Sequence, residues 1–340
     1  MLEVLRAGLH DTIQDVGRPD AAPLGVARSG ACDPLAMAAS NLLVGDRPDA
    51  PVLEVNLSGP TLLARSDGLV ALAGADFEAR VVSGSASRPV APGMAIRLAA
   101  GERLELGAAR DGARACLAIA GGIDVPRVLG SSSTAPVGGF GGFAGRALRE
   151  GDVLRPSTLR DPPDERRWPG PGPSSGVDVH VVGPRVLRVV PGPHAEELGP
   201  GLTAQLLGGT WTVSARSDRV AVRLAGSALA SPDLPEPVSM GMVWGAIEVP
   251  HGGAPLILLA DHPTVGGYRV PLVVASVDRP ALGQLRPDDE VRLVLVGVDA
   301  ARALAREAAG RLRVAAERLA VATTTAAAAP FPWAPPSVRR

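Results

Sequence analysis

Short apolar runs recur along this chain, and Gly, Pro, Asp and Ser separate them. Runs of this length are typical of β-strands, and their spacing favours sandwiches or barrels over alternating strands and helices. A first set of strands is predicted at 52–57, 69–73, 94–98, 103–106 and 115–120. A second set is predicted at 187–190, 211–215, 220–224, 246–249, 256–259, 272–277 and 291–298. The fold class is therefore mainly β.

Two helices and a linker complete the predicted organisation. The first helix opens at Asp33, an N-cap acid followed by Pro34, and stops at Gly45. The second carries apolar residues at helical spacing. Since 46% of the 340 residues are hydrophobic, two cores are expected. The predicted segments are a first β domain at 1–155, a Pro/Gly-rich linker at 156–178, a second β domain at 179–298, a C-terminal helix at 299–321 and a disordered tail at 322–340.

Composition excludes several partners and chemistries. A net charge of −1 gives no attraction to nucleic acid, and no apolar run reaches the length of a membrane span. The first thirty residues hold no apolar signal core, so a cytoplasmic protein is expected. Cys32 and Cys116 have no Cys or His at metal-ligand spacing, which predicts neither a metal site nor a disulfide.

The chain contains no lysine, so all 34 basic residues are arginine. Arginine keeps its proton in proteins. A lysine base, a lysine Schiff base and a phosphate-loop lysine are therefore excluded, and no side chain can carry biotin. Arginine can still hold carboxylate or phosphate oxygens through paired hydrogen bonds.

A series of short motifs in a fixed order carries a family resemblance. They are GLHDTIQDVGR (8–18), GVARSGACDP (25–34), NLLVG (41–45), GADF (74–77), AGGIDV (120–125), LGS (129–131), GGFGGFAGR (138–146), PGP (191–193), SDR (217–219), GAIEVP (245–250) and LADHPTVGGY (259–268). Together they resemble the family that comprises allophanate hydrolase subunit 2, KipA and the C subunit of 5-oxoprolinase, a group of biotin-dependent carboxyltransferase-like proteins. The resemblance covers about residues 1–298.

The resemblance implies tandem cyclophilin-like β-barrel domains and a partner that is either KipI or the B-type subunit of 5-oxoprolinase, with a third, A-type subunit in 5-oxoprolinase. It implies a hydrolase subunit that is inactive alone and acts, with ATP bound in the complex, on the amide ring of 5-oxoproline to give glutamate. Two alternatives stay open. One is a carboxyltransferase component for urea- or allophanate-like substrates, with biotin carried on another protein. The other is a non-catalytic regulatory binding module of the KipA type.

The sequence departs from the family pattern in its second half. Met240 stands where an acid is usual, and Glu248 stands where a glutamine is usual. Tyr268 is followed by Arg-Val-Pro rather than directly by proline. Ser132 and Ala221 replace a common arginine and a common glycine. Met240, which removes an ionisable group, and the altered turn at 269–271 favour the regulatory alternative or a divergent substrate.

The candidate site residues of the first half lie in two motifs. Gln14, Asp15 and Arg18 offer an amide, a carboxylate and a guanidinium for a small amide or carboxylate substrate. The alternative is a turn held by Asp15 and Arg18. Ser29 and Asp33 precede the first helix, where an anion could bind, although simple capping by Asp33 explains the same pattern.

The second half adds a denser group. Asp218 and Arg219 lie between two strands, as a site or as a solvated ion pair. Asp261 or the neighbouring His262 could act as a general base, and Tyr268 could donate to a developing oxyanion. Substrate contacts are expected from Thr264, Gly266 and Gly267. In this hypothesis Asp261, Tyr268 and Asp15 are catalytic, Arg18 and Arg219 hold oxyanions, and the alternative for 261–268 is a β-turn.

The remaining features are expected to be structural. The glycine loop at 138–146 is not a dinucleotide fingerprint, because a Pro-rich stretch follows it instead of a helix. Its Phe140 and Phe143 are expected either to plug the first barrel or to contact a partner. The other histidines, His10, His180, His194 and His251, are expected to be solvated.

Overall fold

The computed structural model describes residues 1–159, 161–169, 184–227, 229, 235, 237–251 and 253–319. Within these residues the chain is mainly β, with four α-helices and two separate strand systems. The predicted fold class, including a C-terminal helix, is therefore confirmed. The domain boundaries stay predictions, and the tail at 322–340 lies outside the described residues.

The first strand system is made of two antiparallel sheets. Its strands are β1 (Leu2–Arg6), β2 (Thr12–Gln14), β3 (Val52–Asn56), β4 (Thr61–Ala64), β5 (Gly68–Asp76), β6 (Arg80–Ser83), β7 (Ala86–Pro89), β8 (Met94–Leu98), β9 (Arg103–Glu105), β10 (Asp111–Ile119) and β11 (Val153–Leu154). One sheet has the order β11-β1-β4-β9-β6-β7 and the other β2-β3-β10-β5-β8. The two sheets share a core that includes Val4, Leu62, Leu53 and Leu117. Alternate residues of β4 point into this core, as expected for a sheet with one covered face.

Helix α1 (Pro34–Leu43) covers the outer face of the five-stranded sheet. Asp33 caps the helix by accepting the Ala36 N–H at 2.9 Å, which confirms the predicted start. Met37 and Leu43 of the helix share a core with Leu69 of β5. Because β5 is covered on both faces, it is apolar almost throughout, and this explains why its sequence lacks alternation.

The second strand system is a closed barrel. Its strands are β12 (Arg185–Pro191), β13 (Trp211–Val213), β14 (Ala221–Ala225), β16 (Ala246–Val249), β17 (Leu256–Leu258), β19 (Arg269–Val274) and β20 (Glu290–Leu295). The order around the barrel is β12-β19-β16-β17-β14-β13-β20, and β12 pairs with β20 in parallel. Inward residues such as Leu187, Ile247 and Leu272 fill its interior. A predicted strand at 291–298 is too long, because Val298 already begins a helix.

Three helices and a short ribbon surround the barrel. They are helix α2 (Gly199–Gly208), helix α3 (Arg279–Gly283), which follows a 3-10 turn at Ser276–Asp278, and helix α4 (Val298–Arg318); a second 3-10 turn, Ala22–Leu24, precedes α1 in the first strand system. Strands β15 (Met240–Gly241) and β18 (Val265–Gly266) form a two-stranded ribbon. No helix in the described ranges is long and apolar enough to cross a membrane.

Helix α4 connects the barrel to the first strand system. It starts directly after the barrel strand β20, and its Leu312 packs in the same core as α1. Leu319, just past the helix end, joins that core, and its carbonyl accepts a hydrogen bond from Arg166 at 2.7 Å. Part of the predicted linker is therefore fixed, because 165–168 lies along β8 through backbone hydrogen bonds to Ala95 and Gly93. Residues 160 and 170–178 of that linker lie outside the described ranges.

Replacing Leu312 by alanine should lower the free energy of unfolding by about 2 kcal/mol, because it leaves a cavity between α4 and α1. Urea denaturation measures the effect. Val314→Ala is a matched control, since Val314 is exposed on the same helix and should change stability little. Equal losses for the two variants would show that α4 does not pack as described.

Candidate functional site

Asp15 anchors a serine-rich loop of the first strand system. The carboxylate is buried and its Oδ1 accepts hydrogen bonds from the hydroxyls of Ser131 at 2.5 Å and Ser133 at 2.6 Å. It also accepts the backbone N–H groups of Ser132 at 2.7 Å and Gly17 at 2.8 Å. Four donors satisfy both oxygens. The arrangement holds the loop in place and leaves Asp15 little capacity for a substrate.

Arg18 lies beside this loop and is only 1% exposed. Its Nε donates to the Val128 carbonyl at 2.9 Å, its Nη2 donates to the Ser133 carbonyl, and its guanidinium stacks 4.9 Å from the Phe140 ring centroid. Burial lowers the pKa of Arg18, while Asp15 opposes this effect. Nη1 is buried and has no hydrogen-bond partner among the described residues. Arg18 therefore keeps one donor that its own loop does not use.

Gln14 and Ser29 hold two neighbouring turns against each other. Gln14 donates to Thr12 Oγ1 at 3.0 Å and accepts the Gly30 N–H at 3.1 Å. Ser29 has a left-handed backbone (φ 56°), and its hydroxyl is buried without a hydrogen-bond partner in the described part of the chain. Gly17 needs its glycine, because a Cβ there would lie 2.5 Å from the Ser29 carbonyl oxygen.

The two strand systems meet along a seam formed by Asp33, Glu54 and Arg114 of the first and Arg219, Asp261 and Gln284 of the second. Gln284 Nε2 donates to Asp33 Oδ2 at 2.6 Å, and its Oε1 accepts the Arg114 N–H at 3.1 Å. Burial raises the pKa of Asp33 to about 7, although hydrogen bonds from Ala36 and Gln284 oppose the shift. Asp33 thus both caps α1 and joins the two strand systems.

Arg219 is the central cation of the seam. Its Nε and Nη2 donate to the two oxygens of Asp261 at 2.9 and 3.2 Å, and Nη2 also donates to the Gly30 carbonyl at 2.7 Å. Nη1 donates to Glu54 Oε1 and to Cys32 Sγ. The whole donor fork is occupied by the protein. Arg219 therefore acts as a tether between the strand systems and has no donor left for a substrate.

Glu54 and Arg114 complete the buried charges of the seam. Glu54 lies in the middle of β3, accepts the Cys32 N–H at 2.6 Å and lies 3.9 Å from Arg114 Nε. Two guanidinium groups thus face the carboxylates of Glu54 and Asp261, while the third carboxyl group of the seam, Asp33, has its pKa raised to about 7 by burial. Burial lowers the pKa of Arg219, but Asp261 and the other acids more than offset this, so its pKa lies well above the ordinary value.

Two histidines border the seam. His10 is half-buried, and its pKa is lowered first by burial and then by Arg219. His262 is buried, and its Nδ1 lies 2.8 Å from the Pro263 carbonyl, an arrangement that leaves Nε2 as the free acceptor of a neutral ring. Burial, Arg279 and Arg28 lower the pKa of His262. His262 is therefore a neutral imidazole at pH 7 next to Asp261.

His10 and His194 were expected to be solvated, but both are half-buried, and His10 borders the seam. His194 is half-buried and its Nδ1 accepts the Val270 N–H at 3.0 Å. His251 is exposed, as predicted, and His180 lies outside the described residues.

The other predicted residues of the second half lie apart from the seam contacts. Asp218 is exposed and caps a turn by accepting the Val220 and Ala221 N–H groups at 2.8 and 3.0 Å. Tyr268 is 43% exposed and, with Gly267, borders a shallow depression that also includes Val249. The three predicted catalytic residues therefore have different surroundings: Asp15 in the serine-rich loop, Asp261 in the seam and Tyr268 at the depression.

Two of the departures from the family pattern lie at the ribbon next to Tyr268: Met240 within it and Glu248 beside it, in β16. Met240 pairs with Gly266, and the Thr264 carbonyl accepts the Met242 N–H at 2.9 Å. A Cβ on Gly266 would lie 2.8 Å from Glu248 Oε1. Burial raises the pKa of Glu248. A carboxyl group is thus still present beside the ribbon, although position 240 holds methionine.

The glycine loop at 138–146 does not form a phosphate cradle. A Cβ on Gly141 would overlap the Ser133 carbonyl oxygen, so this backbone packs against its own chain. Phe143 packs against the core of the first strand system, which supports the predicted plug for this ring. The described residues contain no group of three or more His, Cys, Asp or Glu arranged to hold a metal ion.

Comparisons with known proteins identify the class. The carboxyltransferase domain family, subdomains A and B, matches residues 24–295, and the chain belongs to this family. It is 35% identical to the C subunit of 5-oxoprolinase from Escherichia coli over 88% of this chain and 93% of that protein. It is 31% identical to urea amidolyase of Lachancea kluyveri over 89% of this chain but 17% of that protein. The Kluyveromyces lactis urea carboxylase structure matches with a TM-score of 0.80 and 28% identity, over 94% of this chain and 29% of that one.

Sequence reasoning missed several residues of the seam. Glu54, Arg114 and Gln284 were not candidates, and neither were Arg28 and Arg279. One signal was readable: Glu54 interrupts an apolar run in a predicted strand, and a carboxylate at such a position needs a buried partner. The other residues belong to no recognisable motif, and only the contacts between the two strand systems show that they are part of the site.

Proposed function

We propose that this chain is one component of an ATP-dependent hydrolase that opens the amide ring of 5-oxoproline to glutamate. It would act only with a partner that is either KipI or the B-type subunit of 5-oxoprolinase, and with a third, A-type subunit. The observation that carries the proposal is the match to the C subunit of 5-oxoprolinase, which covers 88% of this chain and 93% of that protein. That relative is named as one subunit of 5-oxoprolinase, so the remaining subunits would supply what this chain lacks.

The seam supports a role in handling protons. His262 offers a neutral imidazole whose Nε2 can accept a proton, which is the state a general base needs. Asp261 is held by Arg219 and cannot easily leave that ion pair. In this proposal His262 takes the proton-handling role, and Asp261 is a positioning residue beside it. Tyr268 remains available at the surface to contact a substrate or the partner subunit.

ATP would be bound by the other subunits of the assembly. The glycine loop of this chain packs against its own backbone, and the chain has no lysine to reach a phosphate. In this proposal the described residues of this chain do not bind the nucleotide. The contribution proposed for this chain is to position the substrate and to take up a proton from it.

Carboxyl transfer is the second candidate function. The similarity to urea amidolyase of Lachancea kluyveri and the structural match to a urea carboxylase support it. Because this chain has no lysine, biotin would be carried on a different protein. The same seam would then present urea or a related amide to the carboxylated cofactor.

The test is ATP hydrolysis by the chain co-purified with its partner subunits, with and without 5-oxoproline. Turnover should require 5-oxoproline and all subunits. His262→Gln should lower kcat about 100-fold or more, the usual contribution of a general base. His194→Gln is the matched control, because His194 binds the Val270 N–H outside the seam and glutamine can still accept it.

The remaining outcomes separate the alternatives. Carboxyl transfer from a biotinylated carrier, without 5-oxoproline turnover, would replace the hydrolase by the carboxyltransferase. A stable complex that turns over neither 5-oxoproline, urea nor allophanate would identify a regulatory module of the KipA type. Full activity in His262→Gln would remove His262 from the proposal but would not affect the hydrolase assignment.

A further inference from the structure

Two neighbouring side chains beside the seam have buried donors without acceptors. Trp244 is 6% exposed, and its Nε1–H has no hydrogen-bond partner among the described residues. The Nε–H of Arg279 is likewise buried and unpartnered within those residues. The Arg279 guanidinium lies over the Trp244 ring, 5.0 Å from its centroid, so the two side chains that carry these donors are in contact. Buried N–H groups are nearly always paired in folded proteins, and two adjacent exceptions indicate a missing acceptor.

The missing acceptor should carry negative charge. Arg28 of the first strand system lies close enough to lower the pKa of both Arg279 and His262. Burial is the larger cause for Arg279, whose pKa falls to about 10. Among the described residues no carboxylate offsets this shift, whereas Arg219 is held by both Glu54 and Asp261. A buried guanidinium that has a neighbouring cation and no compensating acid is stabilised by a bound anion.

We propose that Trp244, Arg279 and Arg28 bind a small planar oxyanion, either a carboxylate or bicarbonate, between the two strand systems. Each of the two contacting side chains offers one donor that needs an acceptor, and the arginines supply the charge that an oxyanion would neutralise. The proposal deepens the proposed function and rests on it in one respect, because it makes this anion the carboxylate of the substrate beside His262. Anion binding itself can be measured without any turnover.

Trp211 provides a matched control for Trp244. Both indoles are buried in the core of the same barrel. The Nε1–H of Trp211 donates to the Leu206 carbonyl at 3.0 Å, so it is satisfied within the protein. Trp244→Phe removes a donor that has no acceptor within the described residues, whereas Trp211→Phe removes a donor that is hydrogen-bonded within the protein. Arg292→Gln, at an exposed position of the same barrel, controls for Arg279→Gln.

The experiment measures the Tm of the full chain in acetate, bicarbonate or 5-oxoproline. The references are chloride and 2-pyrrolidinone, which has the ring of 5-oxoproline without its carboxylate, at matched pH and ionic strength. Saturating oxyanion should raise Tm by about 5 °C, whereas the references should not. Trp244→Phe should weaken the anion affinity about tenfold, and Arg279→Gln should weaken it more. Trp211→Phe should lower the starting Tm but keep the affinity, and Arg292→Gln should change neither.

The outcomes separate the ligand source from the site. A shift with bicarbonate alone would assign the site to a carbonate group and favour carboxyl transfer, whereas shifts with acetate and 5-oxoproline assign it to a substrate carboxylate. Absence of any oxyanion shift, or equal loss of affinity in Trp211→Phe and Trp244→Phe, would overturn the site. Turnover of 5-oxoproline by the assembly without anion binding here would leave the proposed function intact and reject this inference. Anion binding without turnover of 5-oxoproline by the assembly would support this inference and reject the proposed function.

Discussion

Replacing Arg219 by methionine should lower the free energy of unfolding by about 3–5 kcal/mol, which is the largest loss expected from any single substitution in this chain. The guanidinium is buried between the two strand systems and binds Asp261, Glu54 and the Gly30 carbonyl. Methionine fills similar space but leaves two carboxylates in a buried setting with one fewer cation. The cost comes mainly from those unpaired carboxylates and much less from the lost attraction.

Urea denaturation at neutral pH measures this effect, and two further variants test its cause. Arg223→Met changes an exposed arginine just beyond the same turn and should alter stability by less than about 0.5 kcal/mol. Combining Arg219→Met with Asp261→Asn should restore part of the loss, because the neutral amide no longer needs the cation and Glu54 keeps Arg114 as its ionic partner. If the single variant is as stable as the wild type, Arg219 does not tether the strand systems.

The strand pattern was readable from the sequence where an apolar run marks the strand, whereas β2, which is buried throughout but has no such run, was missed. Strands β3, β8 and β17 agree with the predicted bounds closely, whereas β10 begins at Asp111, earlier than predicted. Strand β7 was missed because its four residues are all exposed and carry no apolar signal. Helix α2 was missed because glycine at both ends of its segment suggests a turn. Short edge elements take their structure from neighbours, which a single sequence does not show.

The candidate site was only partly readable for a related reason. The motifs singled out Arg219 and Asp261, which the structure joins at 2.9 Å as an ion pair within the protein. They could not reveal that Glu54, 165 residues away in the chain, occupies the same guanidinium. A pattern within one loop shows which groups are present there, but not which groups from another strand system satisfy them. Because Arg219 holds Asp261, we propose His262 and not Asp261 as the general base.

Replacing Asp11 by asparagine should stabilise the chain at pH 8 by about 3 kcal/mol and change little near pH 4. Burial raises the pKa of Asp11 to about 6 from its ordinary value of 3.8, although the Gly8 N–H and Arg6 oppose the shift. Oδ2 accepts the Gly8 N–H at 2.6 Å, and Oδ1 is buried with no partner among the described residues. An amide can keep the first contact and place a neutral group at the second position.

The sign follows from proton binding in the two states. Between about pH 4 and pH 6 the folded chain holds a proton on Asp11 that the unfolded chain has already released. The contribution of Asp11 to stability therefore falls as the pH rises through this window and stays constant above it. Asp33, whose pKa is also raised, adds a fall in the same direction, so the wild-type curve alone cannot isolate Asp11. The difference between Asp11→Asn and the wild type, measured by urea denaturation at pH 4.5, 6 and 8, isolates it.

Asp49→Asn provides the control of opposite sign. Burial would raise the pKa of Asp49, but the hydrogen-bonded Arg47 more than offsets it, so the pKa lies below the ordinary value. Asp49→Asn should therefore cost a little stability at pH 8, by less than about 1 kcal/mol because the pair is near the surface. If Asp11→Asn instead destabilises the chain at pH 8, Asp11 is ionised and satisfied in the folded protein. The loop that carries His10 to the seam would then be held by the attraction between Asp11 and Arg6, and its stability would fall as ionic strength rises.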